Sequence, residues 1–268
     1  MKNLNSTALT QLTKVSRYPH LISGPRRRPK FDRHLAYLLV LQAGALNAIG
    51  FMALGLYTSH MSGMVADIAH HVMRAEIGLL LTGLLAVGSF TAGTMACTII
   101  FTWAKRRRLA SRYANVLVFE AVLILIVGIL ASDLEHFNQE LIIVPPLCFA
   151  MGLQNALITK IRDFPVRTTH VTGMITDLGV EVGTWVYGRF SRSGPPVRLD
   201  PEKATVLALL IMLFLVGGGI GIAGFWLFDF RALIIGALVV LLLSLPPSIR
   251  DLSRVGLRPR RRAQDQAV

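Results

Sequence analysis

Apolar runs about as long as a bilayer is thick constrain this chain more than any other feature of its sequence. A helix needs about 20 residues to cross the hydrocarbon region. Six runs reach or approach that length: Leu35–Leu56, Ile77–Trp103, Ala114–Ala131, Leu141–Ile158, Thr205–Leu227 and Ala232–Leu245. The last is short and abuts Pro246-Pro247, which is expected to stop the helix. A seventh stretch, Val171–Phe190, is interrupted by Asp177 and Glu181 and reads as a partial or interfacial helix. A water-facing helix needs a polar face, which these runs lack. Only 16% of the chain is charged, against about a quarter in soluble domains, and 53% is hydrophobic. The expected fold class is therefore an all-α membrane protein of about six transmembrane helices.

The formal net charge of +13 would suit nucleic acid, but its distribution does not. Basic residues fill the amino-terminal segment (Lys2, Lys14, Arg17, Arg26–Arg28, Lys30, Arg33) and the 105–113 loop (Lys105–Arg108, Arg112). They recur in the 159–204 segment (Lys160, Arg162, Arg167, Arg189, Arg192, Arg198, Lys203) and the carboxyl end (Arg250, Arg254, Arg258, Arg260–Arg262). The intervening loops hold Arg74 alone, no Lys or Arg at 132–140, and Arg231 alone. This alternation follows the positive-inside rule and places both termini in the cytoplasm of a bacterial-type inner membrane. The expected organisation is a basic tail 1–34, a membrane domain 35–245 and a second basic tail 246–268. No signal-peptide core precedes the first span, so the first segment reads as a retained cytoplasmic tail. The two cysteines, Cys97 and Cys148, lie within apolar runs and read as packing residues.

Two blocks recur in the same order. Gly44-Ala45-Leu46-Asn47-Ala48-Ile49 matches Gly152-Leu153-Gln154-Asn155-Ala156-Leu157. Thr58-Ser59-His60-Met61-Ser62-Gly63-Met64-Val65-Ala66-Asp67-Ile68 matches Thr168-Thr169-His170-Val171-Thr172-Gly173-Met174-Ile175-Thr176-Asp177-Leu178. The halves 35–131 and 141–245 then carry three spans each, and an odd number reverses the second copy. This predicts two inverted three-helix repeats with short partial helices at the motifs, an arrangement used by secondary transporters. Glycines also correspond: Gly83, Gly88 and Gly93 in the second span, and Gly217–Gly219, Gly221 and Gly224 in the fifth. Small residues let helices approach closely in lipid, so packing is their simplest role.

The polar residues inside this frame are the candidate site. His60, Gly63 and Asp67 share a helix face at i, i+3 and i+7, as do His170, Gly173 and Asp177. Ser59 and Thr169 read as caps of helices whose amino ends would favour an anion. Asn47 and Asn155, in or near apolar spans, need partners for their amides and read either as interhelical hydrogen bonders or as substrate contacts, with Gln42 and Gln154 behind them. Glu120 lies inside the third span without a counterpart in the repeat. It reads either as a proton carrier or as a structural carboxylate paired with Arg112. His60, Asp67, His70 and His71 raise the idea of a metal site, but the second half lacks the extra histidines, so no metal and no other cofactor is expected. No nucleotide loop, HExxH or GxSxG motif occurs.

The run Phe149-Ala150-Met151-Gly152-Leu153-Gln154-Asn155-Ala156 is followed by Arg167-Thr168-Thr169-His170-Val171-Thr172-Gly173-Met174 and Thr176-Asp177-Leu178-Gly179. With Thr58–Gly63 it resembles the YoaK family over about residues 35–245. That bacterial family is classed as a domain of unknown function, and the resemblance implies a polytopic inner-membrane protein. Many family members have Asn after the motif glycine, where this chain has Met64 and Met174. A ligand touched by that Asn would therefore differ here. The function expected from the repeat is a secondary transporter of a small solute, open to proton coupling, embedded in the lipid bilayer and without nucleic acid as partner. A homo-oligomer is compatible with this. The alternatives are a non-transporting module that binds a lipid or protein partner, and an intramembrane enzyme using His60 or His170 as a base.

Overall fold

The computed structural model describes residues 29–109, 111–131, 139–161, 169–190 and 199–265. The tail to residue 28 and the loop residues Asp133, Glu135, Arg162, Arg167, Arg192 and Arg198 lie outside the described residues. The helices are α1 (Pro29–Leu54), α2 (Met61–Arg74), α3 (Ile77–Arg106), α4 (Arg112–Leu130), α5 (Gln139–Ile158), α6 (Val171–Phe190), α7 (Pro201–Phe228) and α8 (Ala232–Asp265). No strand occurs among the described residues.

Five stretches are long and apolar enough to cross a membrane: Arg33–Leu54, Ile77–Arg106, Arg112–Leu130, Leu141–Ile158 and Pro201–Ile249. The fifth contains both α7 and the start of α8, separated by a 3-10 turn at Asp229–Arg231. Asp229 makes the break with φ 53° and ψ −144°. Large apolar side chains point away from the protein on several helices, including Ile99 at 65%, Trp226 at 73% and Leu242 at 71% exposure. Such density of exposed apolar surface has a favourable environment only in lipid. The chain is an all-α membrane protein.

The expected stop at Pro246-Pro247 does not occur, because α8 runs through both prolines to Asp265. A proline removes one helical hydrogen bond and crowds the preceding turn, but it does not have to end a helix embedded among others. Just before the pair, Ser244 donates its hydroxyl to the Val240 carbonyl at 2.7 Å. Helix α5 likewise carries Pro145 and Pro146 in its interior.

Three helix pairs make the bundle: α1 with α7, α3 with α5, and α4 with α8. The first two are glycine seams. A Cβ on Gly44 would run into the Phe214 carbonyl oxygen, and one on Gly217 into that of Leu41. In the other seam Gly152 lies against the Phe90 carbonyl oxygen and Gly93 against that of Phe149. Backbones this close gain dispersion contacts that lipid cannot match. Not every glycine serves this end, since Gly88 and Gly219 have nothing within 4 Å of where a Cβ would sit.

Helices α2 and α6 pack against α3 and α7 respectively. Met64 of α2 is buried with Ala86, Val144 and Cys148. Met174 of α6 is buried in a larger cluster that includes Ala36, Val40 and Leu210. These methionines anchor the two short helices, which fixes where each begins.

Candidate functional site

Asn47 and Asn155 organise the two helix starts. In the carboxyl-terminal part of α1, Asn47 donates from Nδ2 to its own-helix Ala43 carbonyl at 3.0 Å and to Ser59 Oγ at 2.7 Å. Its Oδ1 accepts from the Ser59 backbone N–H at 3.0 Å. Asn155 on α5 donates to the Met151 carbonyl at 2.8 Å and accepts from Thr169 Oγ1 at 2.8 Å. Both amides are buried, and these bonds meet the need that burial creates. The hydroxyls expected as helix caps therefore have another task. His60 is the residue at the cap of α2, it makes no side-chain cap bond, and Ser59 instead ties the loop to α1.

The motif glycines make room for the histidine rings. A Cβ on Gly63 would lie 2.9 Å from His60 Cε1, and one on Gly173 would lie 2.5 Å from His170 Nδ1. Each ring thus folds back over the first turn of its own helix. Tyr57 stacks on Phe51 at 4.6 Å and meets the His60 ring edge-on at 6.4 Å.

The two helix starts face one cavity of about 730 Å³. Its wall includes Asn47, Ser59, His60 and Ser62 from the first motif, and Asn155, Thr169, His170 and Thr172 from the second. Phe90 of α3 and Phe214 of α7 also line it, with Tyr57, Thr94 and Thr159. Among the described residues no carboxylate, Lys or Arg belongs to the lining, whose described titratable side chains are His60, His170 and Tyr57. Phe90 and Phe214 were not singled out from sequence, although each stands three residues before a seam glycine, Gly93 or Gly217.

Asp67 and Asp177, expected beside the histidines, are not in that wall. Both are exposed on the helix surface. Seven residues of helix carry each carboxylate about 10 Å along the axis from its histidine, so a shared face did not bring the pair together. Gly63 and Gly173 support the rings without lining the cavity. Met64 and Met174, the residues after the motif glycines, point into the core. Glu181 on α6 is buried and accepts from Lys203 Nζ at 2.9 Å and the Asp200 N–H at 3.1 Å.

Glu120 is fully buried on α4. Its Oε1 accepts from Gln42 Nε2 of α1 and Gln154 Nε2 of α5, each at 3.2 Å. The considered pairing with Arg112 is not formed among the described contacts, and that guanidinium lies over Phe101 and Tyr113 at 5.6 and 5.5 Å. Of the histidines considered for a metal, His70 and His71 lie with Glu76 in a group whose ligand atoms fall within 4.8 Å of one another, and His60 and Asp67 do not join it. The Glu76 carboxylate is already shared by His71 Nδ1 at 2.7 Å and Arg74 Nε at 3.0 Å.

The sequence comparisons agree with this architecture. The family model "Protein of unknown function (DUF1275)" matches residues 35–245. A UPF0700 transmembrane protein of Rhizobium meliloti (strain 1021) is 34% identical over 61% of this chain and 67% of its own length. The UPF0700 transmembrane protein YoaK of Bacillus subtilis (strain 168) is 25% identical over 68% of this chain and 79% of its own length. No solved structure matches. With its paired Thr/Ser-His motifs and a family match spanning its apolar helices, the chain belongs to the DUF1275 family of transmembrane proteins, the family of YoaK.

Proposed function

We propose that the protein is a secondary transporter that carries a small polar solute through the cavity between His60 and His170. One observation carries this reading: both copies of a repeated motif line a single cavity of about 730 Å³. That volume suits a small-molecule ligand. Two helix amino termini and two histidines, with no carboxylate in the wall among the described residues, favour a solute bearing acceptor or anionic groups.

In this reading the chain crosses the inner membrane six times as two inverted halves, α1–α4 and α5–α8, with both termini in the cytoplasm. The reciprocal seams support it. Gly44 on Phe214 and Gly152 on Phe90 are corresponding contacts, as are Gly217 on Leu41 and Gly93 on Phe149. Each half thereby lends its first helix to the other half. A pseudo-two-fold axis between the halves would pass through the cavity, and rocking one half against the other would open it to each side in turn.

Reconstitution into proteoliposomes tests the proposal. Neutral, anionic and cationic small solutes are offered with and without a proton gradient. Uptake by the wild type, lost in His170→Ala at equal folded protein, is the expected result. If no solute enters faster than into empty vesicles, the transporter reading fails. A second reading, lipid binding, draws on the apolar groove of about 230 Å³ between α1, α7 and α8, whose polar side chain is Gln42. Lipid retained through purification and bound there would favour it.

A further inference from the structure

We infer that Glu120, held by Gln42 and Gln154, is a proton-binding site that exchanges its proton with water and links the occupancy of that proton to helices α1 and α5. The inference starts from unmet hydrogen bonds. Glu120 Oε2 and the side-chain oxygens of Gln42 and Gln154 are buried and have no hydrogen-bond partner among the described residues. All three belong to one cluster, whose made bonds both go to Glu120 Oε1. As an anion, Glu120 Oε2 can only accept, and the cluster then holds three acceptors without a donor. A proton on Oε2 turns that oxygen into a donor in a cluster whose two amide oxygens need one.

The charges around the site do not supply a substitute. Helix α3 brings the buried thiol of Cys97 to the interior. Helix α5 presents Gln154, and in the turn just beyond its end lies Lys160, whose carbonyl accepts from Tyr113 Oη. Its Cys148 belongs to the separate cluster around Met64. Helix α8 brings Ser244 and Ser248 to the interior and Asp251 only at the start of α4, where it accepts from the Ser111 N–H at 2.8 Å. Asp229 and Arg231 in the 3-10 turn are exposed. No ion pair reaches Glu120 among the described residues, and an unpaired anion in a dry helical core is far costlier than a protonated acid. A metal cation would need more oxygen ligands than the three that the cluster leaves open.

The site's position gives the proton a consequence. Gln154 directly precedes Asn155, which lines the cavity, and Gln42 shares α1 with Asn47. Losing the proton leaves all three of these oxygens without a donor, and the two glutamines sit on the helices that bear the cavity amides. The step is a proton passing between Glu120 Oε2 and water, with no other bond changed. The existence of the site does not depend on the transporter reading, although coupling to solute movement rests on it.

Infrared difference spectroscopy on ligand-free protein in lipid nanodiscs tests the site without any solute. The wild type at neutral pH should show the carbonyl stretch of a protonated carboxylic acid that Glu120→Gln lacks, and this band should fade reversibly as buffer is made alkaline. Gln154→Leu should shift the band, because it removes one of the two bonds to Oε1. Three results overturn the inference. The wild type and Glu120→Gln could have identical spectra, which would mean an ionised carboxylate. The band could appear only on removal of sodium or potassium, which would mean a metal-ion site. It could persist unchanged at every pH at which the protein stays folded, which would mean a fixed structural acid.

Discussion

Two glycine-to-alanine changes should have opposite consequences, because the atom that each new methyl meets differs in kind. At Gly93 the methyl enters the Phe149 carbonyl and comes within 3.1 Å of the Leu153 nitrogen. Both are backbone, so α3 and α5 must part. Overpacking of this sort costs about 1–3 kcal/mol, against a gain of about 1 kcal/mol from alanine's helix preference. At Gly173 the methyl meets His170 Nδ1 at 2.5 Å, where ordinary contact begins at 3.4 Å. The ring must therefore move by roughly 0.9 Å, the difference between those distances. His170 is exposed on the cavity side and can swing there. The rotamer adjustment costs about 0.5–1.5 kcal/mol, which the alanine gain of about 1 kcal/mol offsets. Thermal unfolding in detergent should place Gly93→Ala a few degrees below the wild type, at about 2–4 °C per kcal/mol for a domain of this size, and Gly173→Ala within error of it. Equal losses for the two variants, or the reverse order, would refute the seam and the ring placement together.

Asn155→Leu removes the bonds to Met151 and Thr169 and strands the Thr169 hydroxyl. It should cost about 1–3 kcal/mol, read as a lowered unfolding midpoint, and Thr169→Val in the same background should recover part of the loss. An impermeant thiol reagent applied to intact cells should label single cysteines in the 132–140 loop and not in the 105–113 loop. The opposite pattern would overturn the orientation drawn from Lys and Arg.

The paired blocks and the apolar runs were legible because they depend on residue type and spacing alone. Asn47 with Asn155, and His60 with His170, could be picked out by repetition, and the structure sets the asparagines in matching bonds and the histidine rings over matching glycines. The aromatic walls were not legible. Phe90 and Phe214 lie in apolar runs where composition cannot separate a cavity face from a lipid face. The carboxylates misled for a different reason. Periodicity reports which face of a helix a residue occupies and is silent on distance along the axis, so Asp67 and Asp177 shared a face with the histidines yet lie outside the cavity wall. Ser59 and Thr169 looked like caps because local patterns cannot reveal that an amide on another helix competes for the hydroxyl. Pro246-Pro247 looked like a stop because the cost of a helical proline was weighed without the surrounding helices that tolerate it.

The most direct test of a single cavity reached from both sides uses Ser62→Cys and Thr172→Cys, two cavity positions on the two motif helices. Each is placed alone in a background in which the buried Cys97 and Cys148 are replaced by alanine. Right-side-out and inside-out vesicles are exposed to an impermeant thiol reagent, and labelling is followed over time. The account predicts that both positions label from both sides, more slowly from one than from the other. Labelling of each position from one side only, whatever the time of exposure, would contradict it.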